Sequence, residues 1–93
     1  MARLLLPDGS ERVVMPADAQ AGFTLEEIYA LLSCDMVEAI PVQHGYMLID
    51  EDGKHKKDLA KNPAATTLLA QAGGIPGDYV LGAALVVDFH EFL

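Results

Sequence analysis

The run Tyr79-Val80-Leu81-Gly82-Ala83-Ala84-Leu85-Val86-Val87 is apolar at almost every position. Side chains alternate between the two faces of a strand, so a strand that is apolar at both parities belongs in the middle of a sheet. Tyr79 to Val87 is therefore read as a central strand, and the remaining elements are placed around it.

Working back from this strand, Gly73-Gly74-Ile75-Pro76-Gly77-Asp78 is a helix stop followed by a strand entry. A phosphate-cradling loop needs the opposite order, with a helix N-terminus after the glycines. Upstream, Asn62-Pro63 opens a helix: asparagine is a good N-cap, and proline is preorganised for the first helical position. Ala65, Leu68, Leu69 and Ala72 give that helix one apolar stripe. Met36 to Val42 and Tyr46 to Asp50 read as two strands joined by Gln43-His44-Gly45, which makes them a hairpin.

The first helix carries the clearest local signal. Thr24 and Glu27 have the spacing of a capping box, and Phe23 and Ile28 that of a hydrophobic staple. Leu25, Ile28, Tyr29 and Leu32 form its apolar stripe. Near the N-terminus, strands at about 2–6 and 11–15 flank Pro7-Asp8-Gly9-Ser10, a sequence suited to a bulged hairpin. The order is β-β-α-β-β-α-β. The expected fold is a single α+β domain in two layers, a mostly antiparallel sheet with both helices on one face.

The chain has 93 residues, and its hydrophobic fraction of 52% is ample for one core. Its formal charge is −8, and four of its six basic residues lie between Lys54 and Lys61. Such a surface disfavours nucleic acid and anionic membrane, both of which need cationic neutralisation. Cys34 is the only cysteine, so no internal disulfide forms, and a reducing, cytoplasmic setting is expected. The longest apolar run, Val80 to Val87, is far below membrane-spanning length.

From Thr24 to Asp88 the chain resembles a family of small proteins from bacteria, phages and plasmids that is known only as a domain of unknown function. The resemblance lies in TLEEIYALLSCDMVEAIPV, GYMLIDEDGK, NPAATTLLA and the aliphatic run Gly82-Ala83-Ala84-Leu85-Val86-Val87. It implies an accessory-gene or mobile-element setting, in which many small proteins act by binding host machinery. It supplies no catalytic residues.

The chemistry-bearing residues give two candidate sets. Lys54, Lys56, Lys57 and Lys61, with the helix start at Asn62, could hold an anionic ligand. Glu26, Glu27, Asp35, Glu38, Asp50 and Asp52 could meet a partner as a phosphate-like acidic row, provided they share a face. Asp50-Glu51-Asp52-Gly53 begins like a calcium loop, but position twelve from Asp50 is Lys61 where a bidentate glutamate is needed. His44, His55 and His90 have no metal-ligand spacing. Cys34 lies beside Asp35, the wrong charge to activate a thiol.

No catalytic constellation, metal or cofactor is expected. The first functional reading is a non-enzymatic protein-interaction module, an inhibitor or adaptor of a host complex. The second is a small anionic-ligand binder that uses the Lys54–Lys61 segment. An open sheet edge would also allow a homodimer.

Overall fold

The computed structural model describes residues 2–56 and 58–92. Lys57 of the lysine segment lies outside the described residues. The elements are β1 (Ala2–Leu5), β2 (Glu11–Val14), α1 (Leu25–Leu32), β3 (Val37–Val42), β4 (Gly45–Asp50), α2 (Pro63–Gln71) and β5 (Ala84–Asp88). Short 3₁₀ turns occupy Gly53–His55 and Phe89–Glu91. The fold is α+β, with one five-stranded sheet in the order β2-β1-β5-β4-β3. Every neighbouring pair of strands is antiparallel.

β5 is central, and it joins the N-terminal hairpin to the β3–β4 hairpin. It is shorter than the apolar run implies, because Gly82 takes a φ of 80° and breaks the extended backbone before Ala84. Residues 80–82 run instead beside residues 60–62. Asn62 N–H donates to the Val80 carbonyl at 2.8 Å, and Gly82 N–H to the Ala60 carbonyl at 2.9 Å.

The two helices lie on opposite faces of the sheet, so the molecule has three layers where the sequence reading placed two. Strand parity shows the division. Ala2, Leu4, Leu48, Leu85 and Val87 pack with Ile28 and Leu32 of α1. The intervening residues Leu5, Met47 and Ala84 pack with Ala65 and Leu69 of α2. The physical reason is visible in β1, β4 and β5, which place large apolar residues at both parities. A sheet covered on one side alone would leave Leu5 and Met47 in water, at about 1.5–3 kcal/mol for each large side chain.

Local signals set the helix ends. Thr24 Oγ1 accepts from Glu27 N–H at 3.1 Å, and the Glu27 carboxylate accepts from Thr24 N–H at 2.9 Å. This reciprocal pair satisfies two of the amides that a helix start leaves open. Phe23 and Ile28 are both buried in the α1 core, completing the staple, whereas Leu25 is exposed. In α2, Ala65 and Leu69 are buried, and Ala72 is exposed.

Candidate functional site: the Tyr79 cleft

The structure separates the residues that the sequence grouped by proximity. Asn62 is fully buried. Its Nδ2 donates to the Leu5 carbonyl at 3.0 Å and to the Gly82 carbonyl at 2.9 Å, while its Oδ1 accepts from Ala65 N–H at 3.2 Å. Each polar valence of that amide is used inside the protein, so Asn62 is a structural residue and presents nothing to a ligand.

Lys54 and Lys56 go to opposite faces. Lys56 pairs with Asp50, which shares the α1 face with Leu48 and has a nearly buried side chain. Lys54 pairs with Asp78, beyond α2 in sequence. Its ammonium lies 4.8 Å from the centroid of the Tyr79 ring, and that of Lys61 lies 5.0 Å from the same centroid. Lys54 and Lys61 are thus brought together, and Lys56 is taken away from them.

Tyr79 and Lys54 stand on a cleft of about 330 Å³ whose apolar lining includes Ile40, Ile49, Leu69 and Val80. Its lining also includes the acidic residues Glu38, Asp50, Glu51 and Asp78, with Lys54 as its basic member, and Lys61 reaches the Tyr79 ring from outside that lining. The cleft is formed because β3 and β4 carry Ile40 and Ile49 to the α2 face, while the 60–62/80–82 pairing fixes Val80 and Leu81 beneath α2. Its volume is at the lower end of the range for small-molecule sites.

Hydrogen bonding tunes the charges at the cleft mouth. The Lys54 ammonium, helped by the Tyr79 backbone N–H, holds the Asp78 carboxyl below the usual aspartate range. Asp78 in turn raises the Lys54 ammonium above its ordinary value. Both groups are therefore ionised throughout the neutral range. The sign of the linkage follows from the Asp78 shift: its contribution is complete above the ordinary aspartate range and is lost as pH falls through the depressed value. An NMR titration of the Asp78 carboxyl carbon should show a midpoint below that of an ordinary aspartate. Lys54→Ala should bring the midpoint back up, and an unshifted midpoint in the wild type would contradict the pairing.

The acidic set does not make one row. The Glu27 carboxylate accepts from Thr24 N–H and, at 2.9 Å, from Ala17 N–H, so it clamps the preceding loop onto α1. These backbone donors hold it below the usual glutamate range. Asp50 accepts from Asp52 N–H at 2.9 Å and from Lys56. Glu38 pairs with Ile49 across the β3–β4 ladder and shares the α2 face, opposite to that of Asp50. Glu26, Asp35 and Asp52 are exposed.

Cys34 is half-buried, and burial, followed by the negative charge of Asp50, pushes its thiol up. A thiol so placed is a poor nucleophile. His44, His55 and His90 are all exposed, in the β3–β4 turn and the two 3₁₀ turns. Among the described residues, no three His, Cys, Asp or Glu side chains are grouped to hold a metal ion, and no helix is long and apolar enough to cross a membrane.

Asp78 and Tyr79 escaped the sequence reading, which assigned them to a loop end and a strand start. The available signal was Gly82: a glycine inside an apolar run marks a break or a close backbone approach. A break there leaves Tyr79 outside the sheet and free to wall a cleft. No protein-family model matches this chain, no curated protein matches it, and no solved structure matches it. The resemblance noted in the sequence therefore rests on its motifs, and the functional reading rests on the geometry of the cleft.

Proposed function

We propose that this chain is a non-catalytic binding module whose ligand is a small anion with an apolar body, seated in the Tyr79 cleft. The observation that carries this reading is the convergence of Lys54 and Lys61, from separate segments, on one aromatic ring above an apolar floor. Lys61 has no carboxylate partner among the described residues, so its charge is available. Lys54 is engaged by Asp78, but both side chains are partly exposed, and an ion pair in contact with water is weak. A ligand carboxylate or phosphate can take over that partner at small cost. Ile40, Ile49 and Val80 would then receive the apolar part of the ligand.

The reading as an adaptor or inhibitor of a host complex rests on the family resemblance and the net charge. The acidic residues give it less support, because Glu27 and Asp50 are engaged inside the protein and Glu38 lies across the sheet from Asp50. Both readings describe a protein that binds without making or breaking bonds. The protonated thiol of Cys34 and the separate placement of the histidines favour that description.

The test is a titration of the ¹⁵N-labelled protein with benzoate and, separately, with inorganic phosphate. Benzoate should shift the amides of Ile40, Ile49, Lys54 and Tyr79 saturably, and phosphate alone should shift Lys54 and Lys61 more weakly. Lys54→Ala with Lys61→Ala should abolish both responses without loss of fold. Shifts scattered over the surface, or a benzoate response unchanged in the double variant, would sink the proposal.

A further inference from the structure

We propose that two copies of this chain pair β2 to β2, antiparallel, across a two-fold axis at Val13, so that one sheet runs through both. The inference stands apart from the cleft, which is built partly on β3 at the other edge of the sheet.

The two sheet edges are finished differently. In an antiparallel ladder, successive residues turn their backbone groups alternately toward and away from the partner strand. Glu51 N–H donates to the Met36 carbonyl, which sets the phase of β3: residues 36, 38 and 40 face β4, and Val37, Ala39 and Pro41 face outward. Pro41 has no N–H, so that edge is blunted against an incoming strand. At the other edge, Leu6 N–H donates to the Ser10 carbonyl, so Arg12 and Val14 face β1 while Glu11 and Val13 face outward. No proline interrupts β2.

Exposed apolar surface lies at that same edge. Val13 is 62% exposed and Met15 63%, and among the large apolar side chains of the described residues only Ile75 is more exposed. By strand parity Val13 lies on the α2 face of the sheet, beside Arg3 and Val86, yet the α2 cluster extends only to Leu5 at the end of β1 and leaves Val13 exposed. Charge points to a like partner. Arg3 and Arg12 offset Asp8 and Glu11, so the hairpin is neutral within a chain of charge −8. Two copies of an acidic chain can meet at this edge without net repulsion between the hairpins.

Register selects one geometry, since a two-fold interface must be self-complementary. Placing Glu11 on Glu11 of the second copy opposes two acids. Placing Glu11 on Val13 sets the two Arg12 residues directly opposite. Placing Val13 on Val13 sets Glu11 against Met15 and Arg12 against Val14, with no like charges directly opposed.

Sedimentation velocity over a dilution series should show a monomer converting to a dimer as concentration rises. Val13→Lys sets two ammoniums at the axis and should weaken the dimer by about tenfold or more. The Val13 side chain is exposed, so the variant should keep its far-UV circular dichroism, and Met15→Lys serves if it does not. A covalent trap tests the register. Residues opposed across a hydrogen-bonded pair have Cα atoms about 5.5 Å apart, within disulfide reach. With Cys34→Ser in place, Val13→Cys should therefore cross-link under oxidised glutathione, and Glu11→Cys should not. A wild type that stays monomeric at every concentration overturns the proposal. So does a dimer indifferent to both Val13→Lys and Met15→Lys, or equal cross-linking at the two cysteine positions.

Discussion

Asn62→Ala is expected to lower the free energy of unfolding by about 2–4 kcal/mol, a large share of the stability of a domain of ordinary size. The figure has two parts. Loss of the N-cap to Ala65 costs about 1 kcal/mol, the usual value for exchanging a capping asparagine for alanine. Removing Nδ2 takes a donor from two carbonyls at a fully buried site. Leu5 faces Ala84 across the β1–β5 ladder and keeps that partner, whereas the Gly82 carbonyl loses its donor, at about 1–3 kcal/mol for an unmet buried acceptor. Because Asn62 ties the end of β1, the start of α2 and the 80–82 segment together, the loss should also loosen the cleft floor at Val80.

Asn62→Asp separates the two parts. It keeps the acceptor for Ala65 N–H but sets a carboxylate oxygen against two carbonyls. At neutral pH it should be at least as damaging as alanine. The buried, donor-seeking carboxyl would have its folded pKa raised, so its stability is present at acid pH and lost as pH rises through that value. Urea unfolding at neutral and mildly acid pH reads both effects. A loss near 1 kcal/mol for Asn62→Ala, with no pH dependence for Asn62→Asp, would mean that only the cap matters.

The contrast between Asn62 and Thr24 shows which parts of this fold are legible in the sequence. The Thr24–Glu27 capping box joins residues three apart, and its geometry follows from the chain itself. The Asn62 cap to Ala65 is legible for the same reason. The other bonds of Asn62 reach residues 57 and 20 positions away, and no local pattern specifies them. The same divide governs the layers. Each helix advertises one apolar stripe, but a stripe does not state which face of the sheet it covers. The doubly apolar β1, β4 and β5 demand cover on both sides, and that demand settles the matter only once strand order is known. The Lys54–Asp78 pair at the cleft mouth forms across 24 residues, between a polar lysine segment and what reads as a loop end. The lysines were legible as charge, and their separation onto two faces was not.

Gly45→Ala is expected to cost about 3 kcal/mol or more, at or beyond the upper end of ordinary overpacking. The sequence places Gly45 in a turn, where alanine is often harmless. In the structure it opens β4 opposite Asp88, and a Cβ built there would lie 1.8 Å from the Val87 carbonyl oxygen and 2.9 Å from the Asp88 Cα. Those atoms belong to the backbone of the central strand, so no side-chain rotation relieves the overlap. The β4–β5 ladder must open at this end instead. Opening it frees Tyr46, whose ring meets Phe89 and Phe92 edge-on at 5.4 and 5.7 Å, and with it the packing of the C-terminal turn. Hydrogen exchange should therefore show lost protection at Tyr46 and Val87 before it appears at Leu4 or Ile28. A variant as stable as the wild type would show that β4 and β5 do not approach this closely, and the register that places Ile49 in the cleft would have to be redrawn with them.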